Sequence, residues 1–136
     1  MINELIKQLI DDEDMKLQPY RCTAGKLTIG VGRNLDDRGI SAEEAMFLLR
    51  NDIDLVLAEL KLNLKWFEAA PETVKMVLAN MAFNMGTPRL MMFKKTLAFL
   101  EQRDYMNASV EMLNSKWAVQ VGNRAIRLSY MLKSIA

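Results

Sequence analysis

Three side chains in the stretch 9–33, LIDDEDMKLQPYRCTAGKLTIGVGR, carry groups that can move a proton or hold a water: Glu13, Cys22 and Thr28. Glu13 lies in a run of four acids, Asp11 to Asp14, where an amphipathic helix ends. Acids there meet the negative end of the helix dipole, at a cost of about 0.3 kcal/mol or more per charge, and repel one another. A carboxylic acid that donates a proton near neutral pH needs such neighbours, or burial, to keep that proton. Read by itself, the run is more simply a solvated helix end. Cys22 stands between Arg21 and Thr23, shortly before Lys26. Positive neighbours favour the thiolate, although a lone cysteine is commonly a small buried hydrophobe. Thr28 is an ordinary strand residue on its own. Arg124, in Gln120-Val121-Gly122-Asn123-Arg124, is either a solvated cation or one with a specific acidic partner, because a helix start disfavours positive charge.

Composition narrows the chemistry. The 136 residues include no histidine, which excludes imidazole metal sites and a histidine base. Acid–base work is left to carboxylates, Cys, Lys or Tyr. A single cysteine excludes an intramolecular disulfide. Eighteen basic and seventeen acidic residues leave a net charge of +1, so no global field draws nucleic acid or an anionic membrane. The 51% hydrophobic and 26% charged content is that of a soluble globular protein. The length suits one domain with room for two lobes. The start, MINELIKQLIDDE, does not read as a signal peptide, and no apolar run is long enough for a membrane span. The chain is expected in the cytoplasm unless another system releases it.

The elements that must position these groups follow from periodicity. Apolar residues at 2, 5, 6, 9 and 10 make one face of a helix over 2–12. Pro19, the β-capable Tyr20, Thr28, Ile29 and Val31, and glycines at 25, 30 and 32 predict a hairpin or three-stranded element. Residues 34–40 read as loop. Ser41 and Glu44 form a capping box that opens a helix to about Leu62, long enough to bridge two lobes. Pro71 opens a helix to Met85 that is apolar nearly all round and therefore buried on most sides, with Asn80 and Asn84 as its polar exceptions. Gly86 and Pro88 end it. Helices are predicted over 90–102, 104–114 and 123–135, the last capped by Asn123. The eleven methionines read as core filler.

With these elements in place, the chain resembles the phage-type lysozymes, the endolysins of glycoside hydrolase family 24. The family pattern of a glutamate, eight residues, an aspartate or cysteine, five residues and a threonine reads here as Glu13, Cys22 and Thr28. Thr28-Ile29-Gly30-Val31-Gly32 matches the glycine run that follows it. Asn80-Met81-Ala82-Phe83-Asn84-Met85-Gly86 is similar to the buried-helix signature, and Trp117 with Gly122-Asn123-Arg124 to the late element.

The resemblance implies an α+β, mainly α fold: a small β-hairpin-containing N-terminal lobe and a larger all-α C-terminal lobe joined by a long helix. It divides the single 136-residue domain into a small lobe over 13–45, a connecting helix over 41–64 and a helical lobe over 65–136, on which helix 2–12 packs. It implies a muramidase that hydrolyses the β-1,4 bond between N-acetylmuramic acid and N-acetylglucosamine of peptidoglycan. Glu13 would be the general acid. Cys22 and Thr28 would position water or stabilise the transition state, and Arg124 would pair with the glutamate. Asn84, Gly30 and Arg33 are further supporting or substrate-binding candidates. Peptidoglycan glycan strands are the expected partner, with no nucleic acid, no stable membrane insertion, no metal and no cofactor. A monomer that depends on a holin for release is implied.

Three departures qualify this. The usual second carboxylate is Cys22, so the two-carboxylate scheme does not apply directly. The segment 34–40 is too short for the extra helix of longer members. The near-zero net charge leaves attraction to the anionic wall to local cations such as Arg21, Lys26 and Arg33. A lytic transglycosylase and a non-catalytic peptidoglycan-binding module are the alternatives.

Overall fold

The computed structural model describes residues 1–136. The chain is mainly helical with one small antiparallel sheet, as the α+β reading requires. It forms two compact units, Met1–Leu48 and Leu49–Ala136. No helix is long and apolar enough to cross a membrane.

The first unit opens with α1 (Ile2–Glu13). Its helical hydrogen bonds end with the Asp14 N–H donating to the Ile10 carbonyl at 2.8 Å. Strands β1 (Lys16–Arg21), β2 (Leu27–Gly30) and β3 (Arg33–Asn34) follow in the sheet order β1-β2-β3. Tyr20 pairs with Thr28 and Arg21 with Leu27, while Thr28 also faces Asn34. The β1–β2 register is irregular between Lys16 and Tyr20, the interval that holds Pro19. A proline cannot donate to the ladder, so it is tolerated where pairing lapses. The β1–β2 turn is closed by the Cys22 N–H on the Lys26 carbonyl (2.9 Å) and the Gly25 N–H on the Cys22 carbonyl (2.8 Å). Gly25 takes φ +77 there, which a side chain would oppose.

Residues 34–40 contain no helix, as their shortness predicts. They fold on themselves: Asn34 Oδ1 accepts the Asp37 N–H at 3.0 Å, and the Gly39 N–H reaches the Leu35 carbonyl at 3.0 Å. The predicted capping box is present. Ser41 Oγ accepts the Glu44 N–H at 3.1 Å, and Glu44 Oε1 accepts the Ser41 N–H at 2.9 Å. It opens α2 (Ala42–Asn63), whose 22 residues make a rod of about 33 Å that continues into the second unit.

The second unit holds the core. Leu60 of α2, Val74, Val77, Leu78 and Met81 of α3 (Glu72–Met85), Leu90 of α4 (Thr87–Leu90) and Met112 of α6 (Tyr105–Leu113) are fully buried. Leu132 of α8 (Asn123–Lys133) joins them. The structure adds to the periodicity reading at several points here. Helix α3, read as buried on most sides, buries Val74, Val77, Leu78, Met81, Ala82 and Met85 but leaves Met76 and Phe83 half exposed, where they line an apolar groove of about 530 Å³ with Ile53 and Leu57. The predicted 90–102 helix begins only at Lys94, as α5 (Lys94–Glu101), because residues 91–93 form a turn after α4. A separate helix, α7 (Lys116–Val121), was not foreseen. Ser115 caps it by accepting the Ala118 N–H at 3.1 Å, and Gly122 (φ +58) ends it and takes the cap position of α8 in place of Asn123. The methionines are not mainly core: Met81, Met85 and Met112 are buried, whereas Met1, Met15, Met46, Met76, Met92 and Met106 are exposed.

The two asparagines of α3 serve as ties. Asn80 Oδ1 accepts from Arg124 Nε at 2.8 Å, and Asn84 Oδ1 accepts from the Trp117 indole N–H at 2.9 Å. A third polar tie joins α6 and α8, where Ser129 Oγ donates to the Ser109 carbonyl at 2.9 Å and both serines are buried. Asp104 caps α6 by accepting the Asn107 N–H at 3.2 Å. Removing that acceptor leaves a helix-end N–H to solvent, so Asp104→Ala is expected to lower stability by about 1 kcal/mol in denaturant unfolding without changing the native fold.

Candidate active site

The chain after α1 brings Glu13 to the glycine turn. A side-chain carbon placed on Gly32 would lie 3.1 Å from Glu13 Oε2 and 3.3 Å from its Cγ. Gly32 also has φ +69. Position 32 therefore favours glycine for its backbone conformation, and any side chain there would also press on the Glu13 carboxylate and displace it by a few tenths of an ångström. Sequence reasoning singled out Gly30 and passed over Gly32. Gly30 has φ +70 with open space where a side chain would go, so only its backbone conformation requires glycine.

Asp14, directly after Glu13, has φ 65 and ψ 164. That region is essentially restricted to glycine and costs of order 1–3 kcal/mol for other residues. Asp14 is partly compensated: its Oδ1 accepts the Met15 N–H at 2.8 Å, and Lys16 Nζ lies 3.9 Å from its carboxylate.

Cys22 and Thr28 are brought together across the β1–β2 turn. The thiol is held below its ordinary value, first by the backbone N–H of Lys26, then by that of Ala24, with the Thr28 hydroxyl adding to them; partial burial opposes this and is outweighed. The backbone of the turn and the Thr28 hydroxyl thus favour the anionic form of the sulfur. The Thr28 hydroxyl also lies 2.8 Å from the Lys26 carbonyl. It has one proton to give. It can donate to the carbonyl while the thiol is neutral and turn to the sulfur once that is charged. Thr28 is buried, 3% exposed, which fixes this hydroxyl in place.

The cations near the turn are not free. Arg21 lies 3.6 Å from Asp36 and donates to the Gly25 carbonyl at 3.2 Å. Lys26 pairs with Asp37 at 3.2 Å. Arg33 holds Glu44 through both nitrogens, at 2.6 and 2.8 Å, and donates to the Gly39 carbonyl at 3.2 Å. The acids of the 34–44 stretch thereby offset the local positive charge that the sequence places there. Arg33 and the Ser41 backbone pull the Glu44 carboxyl down to about 2. The stability this pair gives is present above the ordinary carboxyl range and is lost as pH falls toward 2.

Among the supporting candidates in the second unit, Asn84 is engaged by Trp117. Arg124 donates to both oxygens of Asn80, the side chain at 2.8 Å and the backbone carbonyl at 3.3 Å. These partners are amide oxygens. Arg124 and Asn80 stand at the edge of the apolar groove.

Two outcomes follow from this geometry. Asp14→Gly relieves the backbone, removes one acid from a crowded run and forgoes an exposed hydrogen bond; a net gain of about 1 kcal/mol in unfolding free energy is expected. Iodoacetamide alkylation of Cys22 should show a pH midpoint below the value of about 8.5 typical of a free cysteine, and Thr28→Val should move that midpoint up. An unchanged midpoint in the variant would remove Thr28 from the set of groups acting on the sulfur.

A family model described as phage lysozyme matches residues 11–131. Two curated proteins of Dictyostelium discoideum align with nearly the whole chain. "Probable T4-type lysozyme 2" is 27% identical over 157 residues, covering 94% of this chain and 92% of that protein. "Probable T4-type lysozyme 1" is 26% identical over 163 residues, covering 98% and 96%. The matched span takes in Glu13, Cys22, Thr28 and the Gly30–Gly32 turn of the first unit. It also takes in the Asn80, Asn84, Trp117 and Arg124 ties of the second. The chain belongs to the phage lysozyme family.

Proposed function

We propose that this glycoside hydrolase is a muramidase in which Glu13 is the general acid and the Cys22 thiolate stands in for the second carboxylate. Membership of the lysozyme family gives the coarser part, a peptidoglycan-degrading hydrolase. The finer part is supported by geometry: the β1–β2 turn brings Cys22 and Thr28 together in the same unit as Glu13, and the Lys26 and Ala24 backbone and the Thr28 hydroxyl lower the thiol's pKa.

In this reading, Glu13 protonates the glycosidic oxygen as the bond between N-acetylmuramic acid and N-acetylglucosamine breaks. Positive charge develops on the sugar ring in an oxocarbenium-like transition state. An anionic sulfur beside it lowers that charge's energy and can accept a proton from the incoming water. Thr28 orients the water or the sulfur. After attack, the water's second proton completes the new hydroxyl; the sulfur then releases the proton it took to solvent as Glu13 takes one up, so both groups return to their starting states. Arg124 is assigned a supporting role, as are Asn84, Gly30 and Arg33.

Glu13→Gln should lower turnover of purified peptidoglycan by at least about 100-fold while leaving thermal unfolding unchanged. Cys22→Asp should retain most activity, because it keeps a negative group, whereas Cys22→Ala should lose about tenfold or more. Mass spectrometry of the released muropeptides tests the reaction itself. Reducing ends are expected; 1,6-anhydro ends would make the chain a lytic transglycosylase, and no fragments at all would leave it a binding module.

A further inference from the structure

The pair Arg33–Glu44 does more than its position on the surface suggests. Arg33 is the residue next to Gly32, and Gly32 is the backbone against which the Glu13 carboxylate lies, 3.1 Å from the place a side chain would take. The Arg33 guanidinium is fixed on both of its outer nitrogens by Glu44 and again by the Gly39 carbonyl. Glu44 is itself fixed, because its Oε1 accepts the Ser41 N–H and its own N–H donates to Ser41 Oγ. The turn that carries Gly32 is therefore bolted to the first turn of α2. Bidentate geometry specifies direction as well as distance, which a single lysine ammonium does not.

We propose that the Arg33–Glu44 pair is a positioning device for the acid: it holds the Gly32 turn so that the Glu13 carboxylate is presented in one orientation. This rests on the reading of Glu13 as the general acid. The pair is suited to that work because Glu44 stays ionised down to about pH 2, so the clamp is closed wherever a wall hydrolase operates. Small displacements of a reacting group weaken catalysis more than they weaken binding.

The test compares Glu44→Gln, Arg33→Lys and Arg33→Met with Glu13→Gln on solubilised peptidoglycan, with the Gly32 amide followed by 1H–15N NMR. Glu44→Gln isolates the clamp, since glutamine also serves the capping box. The expected result is about a tenfold loss of kcat with KM within about twofold. The Gly32 resonance should shift or broaden, Arg33→Lys should recover part of the loss, and Glu44→Gln combined with Arg33→Met should be no worse than Arg33→Met alone. A folded Glu44→Gln protein with unchanged kcat and an unmoved Gly32 resonance overturns the inference. So does a loss that tracks only the unfolded fraction. If Arg33→Met does not fold, Glu44→Gln and Arg33→Lys decide. Full activity of Glu13→Gln would instead remove the reading of the acid, and the Gly32 resonance would still report whether the clamp holds the turn.

Discussion

One carboxylate ties the first unit together. Glu44 accepts the Ser41 N–H that starts α2 and holds the Arg33 guanidinium at the end of the glycine turn. Helix initiation and sheet placement thus depend on a single acidic group. A capping glutamate elsewhere on a protein surface satisfies one backbone donor and contributes modestly. Here its second oxygen is spent on Arg33, and through Arg33 on the backbone beside Glu13. The arrangement suits a unit with little core of its own: Thr28 is its one buried side chain, and polar ties carry more of the burden of fixing geometry than in the second unit.

The charge pattern around the turn has the same logic. Arg21, Lys26 and Arg33 would repel one another and make a diffuse positive field if they stood free. Asp36, Asp37 and Glu44 meet each of them. Exposed pairs of this kind contribute little stability one by one. Their use is geometric. Asp36 also accepts the Leu27 N–H at 2.7 Å, and Asp37 is held by Asn34, so residues 34–40 are drawn onto the hairpin instead of looping away from it. This short segment, read from sequence as lacking the extra helix, is in the structure a strap that continues from β3 along the start of β2, with the Leu35 N–H on the Leu27 carbonyl at 2.7 Å.

What the sequence made legible was whatever local chemistry alone decides. The Ser41–Glu44 capping box, the turn at Gly25 and the span of α3 are set by residues within a few positions of one another, and each was readable. The triad spacing Glu13, Cys22, Thr28 was readable through resemblance. The misses share a different cause. Helix α7 is only six residues long, too short for apolar periodicity to register, although Ser115 and Gly122 bracket it as cap and stop. The outward faces of Met76 and Phe83 depend on what packs beside α3, which periodicity does not encode. The pairing of Arg33 with Glu44 crosses eleven positions and needs the sheet in place before the partners meet. Gly32 was hidden in plain view: a glycine motif says that φ is positive, and only coordinates say which side chain fills the space a Cβ would take.

Cys22 gave the sequence reading its least certain chemistry, since a thiol of ordinary acidity is mostly neutral at pH 7. The turn pushes that balance toward the anion without any cation. Backbone N–H groups at Lys26 and Ala24 are fixed donors, present at every pH, and they favour whichever protonation state is negative. A carboxylate at position 22 would add negative charge to a unit whose first helix already ends in four acids, Asp11 to Asp14. In the proposed reading, a thiol whose anionic form the turn favours would supply the second anion through groups on the β1–β2 side.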